Sequence, residues 1–362
     1  MATYELKQAK EAPANTHGPV RWVLKNLFST PVDVALTFSV LALLFMIIPP
    51  FINWALIDAT FIGTTKADCT GDGACWVFIS QKIHLFMYGF YPEDQIYRIH
   101  LAIGLLFVFG AIFKYFGQSF VQKLLFFLPY PFVAFILISG GYFGLDTIAT
   151  DQWGGLVLTL VIASTGIIAS FPLGILLAFG RQSKLPIIKN ISVAYIEFIR
   201  GVPLITLLFM GSVLLPLFFP EGMTFDKLLR ALIAITLFQA AYIAEVIRGG
   251  LQAIPKGQYE AADSAGLSYW QKMFLVILPQ ALKVSIPNLV GSSIALFKDT
   301  TLVLIIGLFD LLAMVNLTAS DSNWIGMETE GYVFITFIYW FFCFSLSKYS
   351  RAVEKRFNTE NR

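Results

Sequence analysis

The chain has 362 residues, 57% of them hydrophobic and only 13% charged, with a net charge of +2. That composition is too apolar for a water-soluble domain and belongs in a bilayer. A charge so nearly balanced argues against nucleic acid as a partner and against a polybasic membrane patch, and makes the distribution of charge along the chain the informative quantity.

The amino terminus, MATYELKQAKEAPANTHGPVRWVLKN, is polar over a long stretch and has no small-residue cleavage pattern before a short apolar run. It does not resemble a cleaved signal peptide, so the first span is expected to stay as an anchor. A bilayer-spanning helix needs about 20 mostly apolar residues. On that criterion the sequence predicts an all-α polytopic protein of about eight spans: 32–57, 99–116, 124–142, 155–179, 192–217, 228–247, 284–297 and 332–347. The seventh is short. The apolar stretch 301–315 competes as a crossing, and is read as a re-entrant or outer-face helix because a ninth span would carry the basic tail to the wrong side.

Cys69 and Cys75 lie in TKADCTGDGACW, a segment with turn chemistry. They are expected to form a disulfide if the loop faces an oxidising compartment, the alternative being two free thiols. Cys343, within FFCFSL, is expected to be a packed or lipid-facing small residue.

Positive charge sets the orientation. Lys7, Lys10, Arg21 and Lys25 precede the first span, Lys123 lies between the second and third, and Arg181, Lys184 and Lys189 follow the fourth. Arg248, Lys256, Lys272 and Lys283 flank a late polar loop, and Lys348, Arg351, Lys355 and Arg356 follow the last span. With both termini inside, all of these are cytoplasmic. The opposite loops carry Asp58, Asp68, Asp72, Glu93, Asp94, Asp146, Asp151, Glu221 and Asp226.

The late polar loop lies within Pro255 to Pro287. Residues 258–265 lack Pro, Gly and β-branched side chains and predict a short helix, which Gly266 ends by supplying a positive φ. Ser268 and Gln271 have capping-box spacing and predict a second helix start. The product is a helix–Gly–helix knuckle. Glu260, Ala261, Ala262, Gly266, Ile277, Leu278 and Pro279 together resemble the EAA loop of ABC importer permeases. The resemblance implies a coupling helix seated in a groove of a cytoplasmic ATPase: small alanines permit close approach and Glu260 is a charged anchor at the rim. The plainer alternative is an interfacial helix linking two spans.

Three further segments resemble motifs of the histidine- and glutamate-type polar amino-acid uptake permeases. In YIEFIRGVPL, Glu197 and Arg200 stand three apart and can pair, before a bend at Gly201 and Pro203. In QAAYIAEVIRGGLQAI, Glu245 and Arg248 repeat that spacing, Ala240, Ala241 and Ala244 suit close helix packing, and Gly249 and Gly250 are expected to release the helix. In FKDTTL, Lys298, Asp299, Thr300 and Thr301 offer charges and hydroxyls suited to an amino-acid zwitterion. A Lys298–Asp299 pair at the lipid surface is the alternative. Asp310, isolated in an apolar run, is a further candidate for lining the pathway.

The resemblance divides the chain into a cytoplasmic tail at 1–30, a three-span extension at 31–151 with an outer loop at 58–98, a five-span type I importer permease core at 152–350 carrying the EAA loop at 249–283, and a cytoplasmic tail at 351–362. Length and layout are most like the larger permease subunits of general L-amino-acid importers. What the resemblance implies is a multi-pass subunit of the bacterial inner membrane, in contact with lipid and working with an ABC ATPase dimer, a second and different permease and a periplasmic amino-acid-binding protein. ATP-driven closure of the ATPases would draw two EAA loops together and open the outer gate. The chain has no P-loop pattern, no H-E-x-x-H and no G-x-S-x-G, and its histidines, His17, His84 and His100, are scattered. A transport subunit rather than an enzyme is therefore expected, with no cofactor or metal of its own and with ATP and Mg on the partner. The rival is a secondary carrier driven by an ion gradient, which wants ion-binding groups within several spans.

Overall fold

The computed structural model describes residues 18–115, 130–218, 220 and 225–359. The chain forms two compact units, Met1–Val77 and Phe78–Arg362. Among the described residues the regular structure is helical.

In the first unit, α1 (Pro19–Leu27) starts on a proline, which is tolerated at the first helical position. Its end is pinned to the following helix by the Thr37 hydroxyl, which donates to the Leu27 carbonyl at 2.8 Å. That helix, α2 (Pro31–Ile52), opens on a capping box between Thr30 and Asp33. Pro49 and Pro50 lie inside it, and a π turn, Asn53–Ile57, follows them. The run Pro31–Ile57 is long and apolar enough to cross a membrane.

Beyond the span the backbone folds back on itself: Ala74 donates to Trp54, Thr60 donates to Ala74, and Trp76 donates to Thr60, at 2.8–2.9 Å. Gly73 is needed there, since a Cβ would collide with the Asp58 carbonyl. Cys69 and Cys75 are bonded and close this hairpin.

The second unit holds the body of α3 (Trp76–Tyr88), α4 (Tyr97–Tyr115) and α5 (Tyr130–Ser139). These are followed by α6 (Gly155–Arg181), α7 (Pro186–Gly201), α8 (Leu204–Phe209) and α9 (Lys227–Ala253). The adjoining ends of the predicted second and third spans, and Lys123 between them, fall at 116–129, outside the described residues. α6 and α9 lie against each other because small residues open the contact. A Cβ on Gly166 would meet Ile235, and one on Gly174 would meet Ile243; Ala240, Ala241 and Ala244 are fully buried, as expected. Residues of the predicted extension share a core with them. Tyr91, Ile99, Ile138 and Ile148 pack with Trp153, Leu158 and Ile235.

Two expectations need correction. Gly249 and Gly250 do not release α9, which runs on to Ala253. A Cβ on Gly250 would strike the Ser285 hydroxyl and the Ala281 carbonyl, so this glycine serves a close helix crossing instead. The seventh span is not short either: its helix, α11 (Leu278–Asp299), belongs to an apolar helical run of 38 residues, Tyr269–Ile306. The stretch after it breaks into a 3₁₀ segment, Thr300–Ile306, a left-handed Gly307 and α12 (Leu311–Ala319), each too short to span. The last helix is α13 (Glu328–Thr359). Among the described residues five helices meet the length and hydropathy of a span, or six if α7 and the segment after it, bent by 103° at Gly201–Pro203, count as one.

Candidate functional site

α9 ends where it meets a proline. The residue before proline is pushed out of the helical region, and Ile254 accordingly sits at φ −76°, ψ 126°. The chain re-enters a helix at once as α10 (Lys256–Ser264). Its close is a complete Schellman motif: Leu267 N–H donates to the Ala262 carbonyl at 3.2 Å and Gly266 N–H to the Asp263 carbonyl at 3.0 Å, with Gly266 at φ 72°. Ser268 and Gln271 then exchange the predicted capping hydrogen bonds at 2.9 and 3.4 Å. The knuckle read from the sequence is present.

The motif residues divide by role. Ala262 and Ile277 are buried, at 4% and 0% exposure, and Ile277 packs with Ile247, Leu251 and Met273. Glu260, Ala261, Gly266 and Pro279 are exposed. Side chains hold the inner face down. Tyr259 donates to the Leu251 carbonyl at 3.1 Å, and burial pushes its phenol pKa up. Gln280 donates to Gln258 at 3.0 Å, Lys272 pairs with Asp263, and Trp270 and Phe274 pack on Phe179. What remains is a short rigid ridge with a carboxylate and an alanine outward, and open space beside Gly257 and Gly266. Such a ridge fits a groove on another protein.

One carboxylate organises the helices above the ridge. Glu245 on α9 meets Arg248 at 2.9 Å, as its spacing predicted, but also Arg181 of α6 at 2.9 Å and Arg200 of α7 at 3.5 Å. The predicted Glu197–Arg200 pair is not formed; Glu197 binds Arg181 at 2.9 Å instead. The cause is the tight approach of α6 to α7, where a Cβ on Gly180 would overlap the Ser192 hydroxyl. Arg181 was legible only as a marker of topology. A cavity of about 430 Å³ opens beside the cluster, between α9 and α11, with Glu245, Gly249, Ser285 and Asn288 in its wall.

The candidate pathway residues fare differently. Thr300 is buried and its hydroxyl donates to the Phe297 carbonyl at 2.9 Å, while Thr301 donates to the Lys298 carbonyl at 3.0 Å. Lys298 is exposed and Asp299 half-buried, and among the described residues no ion pair joins them. Asp310 is fully buried and is spent as the cap of α12. It accepts from Ala313 and Leu312 N–H at 3.0 and 3.3 Å and from the Tyr339 hydroxyl at 3.2 Å. This placement gives Asp310 a structural role as a helix cap.

Residues 170–359 match the family described as binding-protein-dependent transport system inner membrane component. Over 352 residues the chain is 54% identical to the inner membrane amino-acid ABC transporter permease protein YhdY of Escherichia coli, covering 97% of this chain and 96% of that protein. Over 427 aligned positions it is 39% identical to the glutamate/glutamine/aspartate/asparagine transport system permease protein BztC of Rhodobacter capsulatus, covering 99% and 98%. Among solved structures, a chain from the crystal structure of an amino acid ABC transporter with histidines superposes with a TM-score of 0.50 at 32% identity, covering 56% of this chain and 92% of that one. The chain belongs to the binding-protein-dependent transport system inner membrane component family, and is a membrane permease subunit of an ABC importer.

Proposed function

We propose that this chain moves polar L-amino acids inward across the bacterial inner membrane, and that α10 is the helix through which ATP hydrolysis on a separate subunit drives the movement. The exposed ridge at Glu260 and Ala261, closed by Gly266 and held from beneath through Ala262 and Ile277, is the observation that carries this reading. Family membership supports a machine with ATPase subunits and a binding protein. The relatives' amino-acid names support the substrate class. In this reading both termini and α10 are cytoplasmic, and the bonded Cys69–Cys75 hairpin faces the oxidising outer side. The second permease is a different chain. Residues 31–151 extend a core at 152–350, and Lys298 with Asp299 are the charges offered to a passing zwitterion.

The test is uptake of a mixture of radiolabelled L-amino acids by proteoliposomes holding the purified complex, with the binding protein outside and ATP inside. ATP-dependent uptake that survives ionophores is expected. Uptake that needs an ion gradient and ignores ATP would overturn the reading.

A further inference from the structure

We propose that Glu245 is a positioning residue that ties the coupling loop to the elbow between α7 and α8, so that displacement of α10 is transmitted to the bend at Gly201–Pro203. This inference rests on α10 being the coupling helix.

The geometry is specific. α9 is one helix of 27 residues whose end leads through Ile254 and Pro255 directly into α10. Arg200 stands beside the elbow glycine, Gly201, where the helical direction turns by 103°. It reaches α9 twice, at the Glu245 carboxylate and over the Tyr242 ring, 5.6 Å from its centroid. Arg181 anchors the other carboxylate oxygen from α6, and Arg248 completes the set from one turn below and also donates to Gln252, toward the loop, at 2.9 Å. Three guanidiniums thus share two carboxylates, Glu245 and Glu197.

Removing the Glu245 charge leaves three arginines facing one acid. Like charges at this separation repel, and the carboxylate through which α9 holds both Arg181 of α6 and Arg200 of α7 is lost. The elbow then keeps only Arg200 over the Tyr242 ring and the Tyr195 hydroxyl on the Leu237 carbonyl as polar ties to α9, and its position relative to α9 is less sharply set. Around Gly201 itself nothing lies within 4 Å of an added Cβ. Ile199 and Leu204, on either side of the bend, are buried with Ile235 and Phe238 of α9, so the clasp adds a directional tie to apolar packing that can slide.

The experiment uses the purified complex in nanodiscs, with spin labels at Phe198→Cys on α7 and Gly257→Cys on α10 in a Cys343→Ser background. The expected result is a narrow distance distribution with Glu245, at least a twofold broadening in Glu245→Gln, and recovery of most of the narrow distribution in Glu245→Asp. In proteoliposomes, Glu245→Gln is expected to lower amino acids moved per ATP hydrolysed at least fivefold while ATPase stays within twofold. Arg200→Gln should act alike, and the double variant should lose no more than either single one. An unchanged distribution, or uptake and ATPase falling by the same factor, overturns the proposal. Absence of ATP-driven uptake by the unsubstituted complex strikes the functional reading instead, and the distance measurement still decides this one.

Discussion

Gln280 at the start of α11 donates to the side-chain carbonyl of Gln258 in α10 at 3.0 Å, joining residues on opposite sides of the knuckle. With Ile277 buried beneath and Asp263 paired to Lys272, it makes α10 and α11 a single mechanical piece. A push on the ridge therefore reaches a helix of spanning length.

The ridge predicts opposite behaviour for adjacent alanines. Ala262→Leu overpacks a buried site and is expected to cost about 1–3 kcal/mol, seen as a lower melting temperature in detergent. Ala261→Leu points outward and should leave melting unchanged while abolishing retention of the ATPase. Equal melting losses in the two variants would contradict the assignment of faces.

Gly266 has room for a side chain but a left-handed backbone. Gly266→Ala is expected to cost about 1–2 kcal/mol from that conformation alone, with Gly266→Asn closer to wild type. Hydrogen exchange across 256–271 measures it: protection should fall in the alanine variant and largely return with asparagine.

Asp310→Ala removes a helix cap and takes from the half-buried Tyr339 hydroxyl the carboxylate it donates to. Together these are expected to cost about 2 kcal/mol, whereas Asp310→Asn keeps the cap and loses less. Uptake per correctly folded molecule should stay unchanged in Asp310→Asn. A large loss of uptake at full stability would instead give Asp310 a pathway role.

The hairpin closed by Cys69 and Cys75 carries a pH signature. Backbone N–H groups of Thr64 and Thr65, in that order, hold the Asp68 carboxyl below its ordinary 3.8. A depressed folded-state pKa contributes order that is complete above the ordinary value and fades as pH falls through the folded one. Proteolysis of residues 58–76 by an acid-tolerant protease should rise below about pH 4 beyond the protease's own pH dependence. Asp68→Asn should flatten that rise.

Local chemistry was legible in the sequence and long-range pairing was not. Gly266, the Ser268–Gln271 box, the Gly201–Pro203 bend and the six-residue Cys69–Cys75 spacing each depend on neighbours in the chain, and each appears as read. Glu197 and Gly250 depend on where other helices cross. The i, i+3 spacing named Arg200 as the partner of Glu197, and only the α6–α7 contact puts Arg181 closer. A glycine near a helix end reads as a terminator unless the helix packed against it is known. Asp310 looked exceptional because its partners are backbone N–H groups and a tyrosine 29 residues away, which no charge pattern reveals.

The most direct measurement is a gentle-detergent pull-down on the chain, wild type beside Glu260→Lys, with mass spectrometry of what co-purifies. If α10 is the coupling helix, the wild type retains a P-loop ATPase and a second permease, and Glu260→Lys keeps the permease but loses the ATPase. Equal recovery of the ATPase by both proteins, or by neither from a correctly inserted chain, contradicts the account.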